Sequence, residues 1–191
     1  MAQDIKKINI GFTRTCDCAP SHINCLSAKE WIKNQLGVWQ FTYEKRDIRD
    51  KSVHPATFPV SLAKRVISLF SHEGELVLDP FTGSGTVLLA AQDLNRNALG
   101  FDLQEKYIEL CKSRLINNNF FNNSKQIPIL DDALNIQDYL EKETLSLIFT
   151  SPPYANLLNR QRKNKSRRGE TRNNDQFMKI EQYSQDPRDL G

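Results

Sequence analysis

The sequence predicts an α/β domain built on a mostly parallel sheet. Short apolar runs alternate with segments of helical period from residue 60 to residue 150, the order that crossover helices between parallel strands produce. One run passes through a turn with two glycines one residue apart, "DPFTGSG" at 79–85, straight into a helical segment. The runs end on Asp79, Asp102, Asp131 with Asp132, and Ser151. Polar groups at the carboxyl ends of parallel strands mark the edge where an open α/β sheet receives its ligands.

Each element has its own signal. Residues 1–26 read as irregular or short-stranded. "SAKEWIKNQLG" (27–37) predicts a helix, with Ser27 as cap, Glu30 three residues on, and Gly37 at the end. "VWQFTY" (38–43) predicts a short strand, and "EKRDIRDKSVH" (44–54) an exposed charged stretch. "HPATFP" (54–59) is a stiff bend. "VSLAKRVISLF" (60–70) places apolar residues at helical spacing. "ELVLD" (75–79) predicts a buried strand, "TVLLAAQDL" (86–94) a helix, "ALGFD" (98–102) a strand and "QEKYIELCKSRLINN" (104–118) an amphipathic helix, with Cys111 a packed thiol. "IPILDD" (127–132) is a third strand, "LNIQDYLEK" (134–142) a short helix, and "LSLIFT" (145–150) a buried fourth strand.

Composition narrows the class. Of 191 residues, 39% are hydrophobic and 26% charged, enough apolar material for one domain with an appendage. A net charge of +3 says little about partners, but its distribution is uneven. Arg160, Arg162, Lys163, Lys165, Arg167 and Arg168 stand together without an acid. Such a block is either a solvated loop or a contact for nucleic-acid phosphates. No apolar run is long enough to span a membrane, no export signal opens the chain, and the reading is cytoplasmic.

The turn at 79–86 excludes two common nucleotide sites. No lysine follows in the phosphate-loop position, and Leu88 stands where the dinucleotide fingerprint needs its third glycine. Gly83 and Gly85 let the backbone approach a ligand that a Cβ would block, and the helix start behind them suits something smaller, such as a carboxylate. Asp102, roughly 20 residues after the turn, stands where an acid accepts hydrogen bonds from ribose hydroxyls. Asp132 is placed to accept from an adenine amino group. The competing reading makes these acids helix caps or solvated strand ends.

"VLDPFTGSGT" (77–86) and "TSPPY" (150–154), with "HPATFP" ahead of them, resemble the site-specific amino-methyltransferases of DNA, over roughly residues 50–155. The resemblance implies a Rossmann-like, S-adenosylmethionine-dependent methyltransferase fold. It also implies methyl transfer to the exocyclic amine of a base in double-stranded DNA, and a setting in restriction-modification. It places Asp79, Phe81, Gly83, Ser84, Gly85 and Thr86 at the methionine end of the cofactor, Asp102 at the ribose and Asp132 at the adenine. His54, Pro55, Thr57 and Pro59 shape the opposite wall. Ser151, Pro152, Pro153 and Tyr154 form the catalytic corner, and Ser151 at its head leans to cytosine N4 over adenine N6. The Ser151 hydroxyl and the Pro152 carbonyl would accept the amine's N–H bonds and expose its lone pair. Proline holds that carbonyl in place by fixing φ. Tyr154 would stack on a base turned out of the duplex.

These motifs divide the chain into an N-terminal extension (1–49), a cofactor-binding and catalytic core (50–155) and a basic segment (156–191) that opens a target-recognition region. A methyltransferase sheet of the resembled family has seven strands, and the sequence to Ser151 supplies four or five. The C-terminal strands are therefore expected to be missing. A second polypeptide, or self-association, would cover the open edge of the fourth strand. The other readings are a non-catalytic DNA-binding remnant and a methyltransferase acting on RNA or protein.

One cluster lies outside these motifs. "CDCAPSHINC" sets Cys16, Cys18, His22 and Cys25 within ten residues. They are ligands of the right kind for structural zinc, or else three reduced thiols and a surface histidine.

Overall fold

Strand β1 (Leu76–Asp79) is buried along its whole length and forms the centre of a parallel sheet. The computed structural model describes residues 8, 13–35, 37–43, 57–116, 123–153, 186 and 188. Two units make up the chain, Met1–Ser151 and Pro152–Gly191. In the second, Arg188 pairs with Asp186, Nη2 to Oδ2 at 2.6 Å.

The first unit carries α1 (Ala28–Asn34), α2 (Val60–Phe70), β1, α3 (Thr86–Asp93), β2 (Asn97–Asp102), α4 (Glu105–Ile116), β3 (Gln126–Leu130), a 3-10 helix (Ala133–Asp138) and β4 (Leu147–Ile148). The strand order is β3-β2-β1-β4, and every pairing is parallel. Among the described residues no helix is long and apolar enough to cross a membrane.

Side-chain alternation builds one core on each face of the sheet. Val77 and Ala98 face α2, α3 and α4, joining Ile67, Val87, Leu88, Cys111 and Leu115. Leu76, Leu78, Leu99 and Phe101 face the other way, towards Ile129 and Leu140, with Tyr139 and Leu145 packed alongside. Each leucine buried in β1 contributes about 1.5–3 kcal/mol. The Phe101 and Tyr139 rings meet edge-on at 5.3 Å. Lys64 and Asp93 tie α2 to α3 at 2.6 Å.

The expected α1 forms with its capping box complete. Ser27 Oγ accepts from the Glu30 amide, and the Glu30 carboxylate accepts from the Ser27 amide. Three expectations need correction. Residues 38–43 form no strand; their extended run lays Trp39 and Phe41 beside the Arg65 guanidinium of α2, at 5.2 and 5.3 Å. Alternating aromatics here find a cation instead of a neighbouring strand. The segment after β3 closes as a 3-10 helix. Strand β4 pairs at only two residues, and Ile148 is 59% exposed, so it is an edge of the described sheet and not a buried strand. Flanking bonds from the Ser146 amide to the Leu76 carbonyl and from the Phe149 amide to the Leu78 carbonyl, both 3.0 Å, hold it in place.

Candidate functional site

The sheet order makes the site. From β1 the chain moves outward through β2 to β3, then returns to the opposite side of β1 as β4. Loops at the carboxyl ends of β1 and β4 therefore diverge, and that switch point is where an open α/β sheet holds its ligand.

The glycine turn occupies this point. Its bend is closed by the Thr82 amide donating to the Phe101 carbonyl and the Gly85 amide donating to the Thr82 carbonyl, both at 2.8 Å. Gly83 and Gly85 have φ of 50° and 80°, the left-handed region that favours glycine. Gly85 is the cap residue of α3, and no side chain caps that helix. Its first-turn amides are thus left for solvent or an anionic ligand. At Gly85 an added Cβ would run into the sulfur of Cys111 on α4. Helix packing demands glycine here, a reason distinct from the close ligand approach expected from the sequence.

The acids are held in defined roles. Asp102 Oδ2 accepts from the Gly83 amide at 3.0 Å, and Oδ1 from the Gln104 amide at 2.9 Å. Asp102 thus braces the bend as well as standing at the end of β2. Asp79 is 2% exposed; its Oδ1 accepts from the Phe81 amide at 3.2 Å and from Thr150 Oγ1 at 2.6 Å. No ion pair to Asp79 occurs among the described residues. Burial pushes its carboxyl up to about 7, against the pull of the Thr150 and Phe81 hydrogen bonds. Asp132 caps the 3-10 helix, its Oδ1 accepting from the Leu134 amide at 3.0 Å. Its neighbour Asp131 is taken up by Asn135 Nδ2 and the Tyr139 hydroxyl.

Thr150 brings the second motif to the first. Its bond to Asp79 sets Ser151, the next residue, beside the glycine bend at the same sheet edge. The bend before α2 joins from the other side, where Phe58 meets Phe149 edge-on at 5.5 Å. Pro59 caps α2 in extended conformation. The Thr57 hydroxyl is buried and has no hydrogen-bond partner among the described residues.

Arg114 is the residue that sequence reading missed. It is buried on α4, and its Nη1 donates to the Ser84 carbonyl at 2.6 Å and to Ser84 Oγ at 3.0 Å. The side chain of Ser84, and more distantly that of Thr86, is thus engaged from behind the bend. Nothing in "CKSRLINN" sets this arginine apart from a surface cation. Replacing Arg114 with methionine leaves the Ser84 carbonyl buried and unsatisfied, so the chain is expected to lose about 1–3 kcal/mol, measured by urea denaturation.

The cysteine cluster closes, but with a different histidine. Cys16, Cys18, Cys25 and His72 bring their ligand atoms within 4.8 Å of one another. His22 is outside this group, held in a turn by its amide bond to the Ala19 carbonyl. His72 lies 47 residues beyond Cys25, between α2 and β1, where the sequence showed only a helix terminus. His54, Pro55, Tyr154 and the basic residues Arg160, Arg162, Lys163, Lys165, Arg167 and Arg168 lie outside the described residues. Pro152 and Pro153 belong to the second unit.

Residues 4–113 match the DNA methylase family, and residues 60–185 match the D12 class N6 adenine-specific DNA methyltransferases. The type II methyltransferase M.HpaI of Haemophilus parainfluenzae is 40% identical over 82 residues, 43% of this chain and 26% of that protein. M.BglI of Bacillus subtilis is 32% identical over 127 residues, 65% of this chain and 35% of that protein. The solved M1.HpyAVI–SAM complex is 38% identical, covering 35% of this chain and 32% of the other at a TM-score of 0.33. The chain spans about a quarter to a third of the length of these curated relatives. Each family match covers more than half of the 191 residues, and the chain therefore belongs to the S-adenosylmethionine-dependent DNA amino-methyltransferases.

Proposed function

We propose that this chain moves the methyl group of S-adenosylmethionine onto the exocyclic amine of a DNA base. The observation that carries the reading is the 2.6 Å bond from Thr150 Oγ1 to Asp79 Oδ1. Through it, the strand leading to Ser151 and the strand leading to the glycine bend meet at the sheet's switch point. Residues already present suit the cofactor. Asp79 is a buried carboxyl with no ion-pair partner among the described residues, and Thr57 offers a buried hydroxyl with no hydrogen-bond partner among them. A sulfonium nucleoside with an amino-acid tail brings positive charge and hydrogen-bonding groups to match.

In this reading Asp79, Phe81, Gly83, Ser84, Gly85 and Thr86 hold the methionine end, Asp102 the ribose and Asp132 the adenine. His54, Pro55, Thr57 and Pro59 form the facing wall. The bound cofactor supplies an electrophilic methyl group on sulfur. The protein's part is orientation. Ser151 accepts an N–H of the amine, which draws the nitrogen towards a tetrahedral shape and frees its lone pair for attack, and a preformed acceptor needs no rearrangement as charge develops. The amine's proton leaves to solvent after transfer.

Ser151 at the head of the corner supports cytosine N4 as the acceptor. The match to D12 class adenine-specific enzymes supports adenine N6 as the second reading. Because the chain covers 26% of M.HpaI, full turnover is proposed to need further polypeptide, from a second chain or a longer protein. The basic stretch 160–168 would neutralise DNA phosphates.

Labelled methyl transfer to unmodified DNA, with nucleoside analysis, tests this. The pure chain is expected to transfer little, and more when the further polypeptide is supplied as a second chain or as a longer protein. Ser151→Ala is expected to lower transfer about 100-fold while cofactor affinity by titration calorimetry stays within a few-fold. Label found only in RNA or protein, or DNA retention that ignores the cofactor and disappears with salt, would overturn the proposal.

A further inference from the structure

The structure assigns a second, separate site: we infer that Cys16, Cys18, Cys25 and His72 bind one structural zinc ion that fastens the N-terminal segment to the corner between α2 and β1. The argument starts from distances. The sulfurs of Cys16, Cys18 and Cys25 lie 3.5, 3.7 and 3.4 Å from His72 Nδ1, and Cys16 and Cys18 sulfurs are 3.7 Å apart. A tetrahedral zinc ion with bonds of about 2.3 Å to sulfur and about 2.0–2.1 Å to nitrogen requires edges of about 3.8 Å between sulfurs and about 3.5 Å between sulfur and nitrogen. Four of the six edges among the donors stand at about those lengths, and the other two, from Cys25 to Cys16 and Cys18, lie within 4.8 Å. A separation of 3.7 Å also excludes a disulfide, whose sulfurs lie about 2.05 Å apart.

Three thiolates and one imidazole around a divalent ion leave one negative charge. Arg14 meets it, with Nε at 3.0 Å from Cys16 Sγ and Nη2 at 2.9 Å from Cys18 Sγ. The Glu73 amide, next in sequence to His72, points at Cys25 Sγ at 3.5 Å. Such outer partners orient ligands and tune their charge.

The backbone around the donors is arranged to deliver them. Asn24 and Cys25 have φ of 52° and 68°, in a tight turn closed by paired bonds between Ile23 and Leu26 at 2.8 and 2.9 Å. The Asn24 side-chain amide also donates to the Leu69 carbonyl of α2, which fixes the turn against that helix. The Thr15 amide bonds to the Glu73 carbonyl at 2.8 Å, and buried Arg96 reaches both the Ser71 carbonyl at 2.8 Å and the Asn24 carbonyl at 3.5 Å. The segment around residues 13–26 offers little apolar surface of its own. A metal shared between it and His72 supplies the cross-link that a hydrophobic core does not.

The full chain, purified under reducing conditions without chelator, is expected to carry about one zinc per chain by plasma mass spectrometry. After removal of zinc, added cobalt(II) should give the visible bands of a tetrahedral thiolate site, and zinc should quench them. His72→Ala should lower metal affinity at least tenfold, His72→Cys should retain it, and His22→Ala should leave it unchanged. Chelator should make residues 13–26 the first site of proteolysis. A chain that takes up no zinc even when zinc is added, an octahedral cobalt spectrum, or loss of metal with His22→Ala would overturn the assignment. If His72→Ala does not fold, the cobalt spectrum of the unaltered chain and the His72→Cys variant decide the matter.

Discussion

Gly85→Ala is expected to destabilise the first unit by roughly 2–5 kcal/mol, a large share of what a domain this size commands. Two causes add. Gly85 sits at φ 80°, where an L side chain is strained. Its added Cβ would also overlap the Cys111 sulfur on α4. Cys111 is fully buried in the core that joins α2, α3 and α4, so the sulfur has nowhere to retreat. Urea denaturation separates the two causes. In the Cys111→Ala background the alanine at 85 meets less crowding, and its cost should shrink while the backbone strain remains. A strictly additive double mutant would disprove the overlap. Cofactor affinity should fall with Gly85→Ala in either background, because the bend that α3 extends from is displaced.

Asp79→Asn should change how stability depends on pH, by up to about 4 kcal/mol. In the unfolded chain the carboxyl ionises near 3.8; in the fold, burial pushes it up to about 7. Between those values the folded state holds a proton that the unfolded state has lost. Stability therefore falls as pH rises from about 4 to about 7, and the contribution is level above that. Asparagine keeps an acceptor for the Phe81 amide and Thr150 hydroxyl without ever ionising. The stability of Asp79→Asn relative to the unaltered chain should thus climb across this window and flatten above it, read from denaturation midpoints at a series of pH values. A difference that does not vary with pH would show that Asp79 is not desolvated. Bound S-adenosylmethionine, carrying positive charge, should pull the proton off and be accompanied by proton release below pH 7.

The elements that were legible in the sequence are those whose signals are local. The α2 periodicity, the Ser27–Glu30 capping box and the strand–glycine–helix order each depend on neighbours within a few residues, and each appears where expected. The shared edge of Asp79, Asp102 and Ser151 was legible too, because parallel strands bring every carboxyl end to one side. What escaped was set by distant partners. Residues 38–43 alternate like a strand, but Arg65 is their partner. His72 joins cysteines far back in the chain, while His22 stood nearer and had the better spacing. Arg114 looked like any helical cation until α4 turned it towards Ser84. Gly85 signals close ligand approach in the sequence, yet packing against Cys111 of α4 by itself requires glycine there.

The bond between Thr150 and Asp79 spans 71 residues, and this has a consequence for how the protein matures. The helices and the β1–β2–β3 ladder form from contacts between successive segments, but β4 must come back past all of them to pair with β1. Closing so long a loop is slow compared with local structure. A nascent chain would thus hold a folded glycine bend while the strand leading to Ser151 is still undocked. On this topology the two strand ends of the switch point come together last.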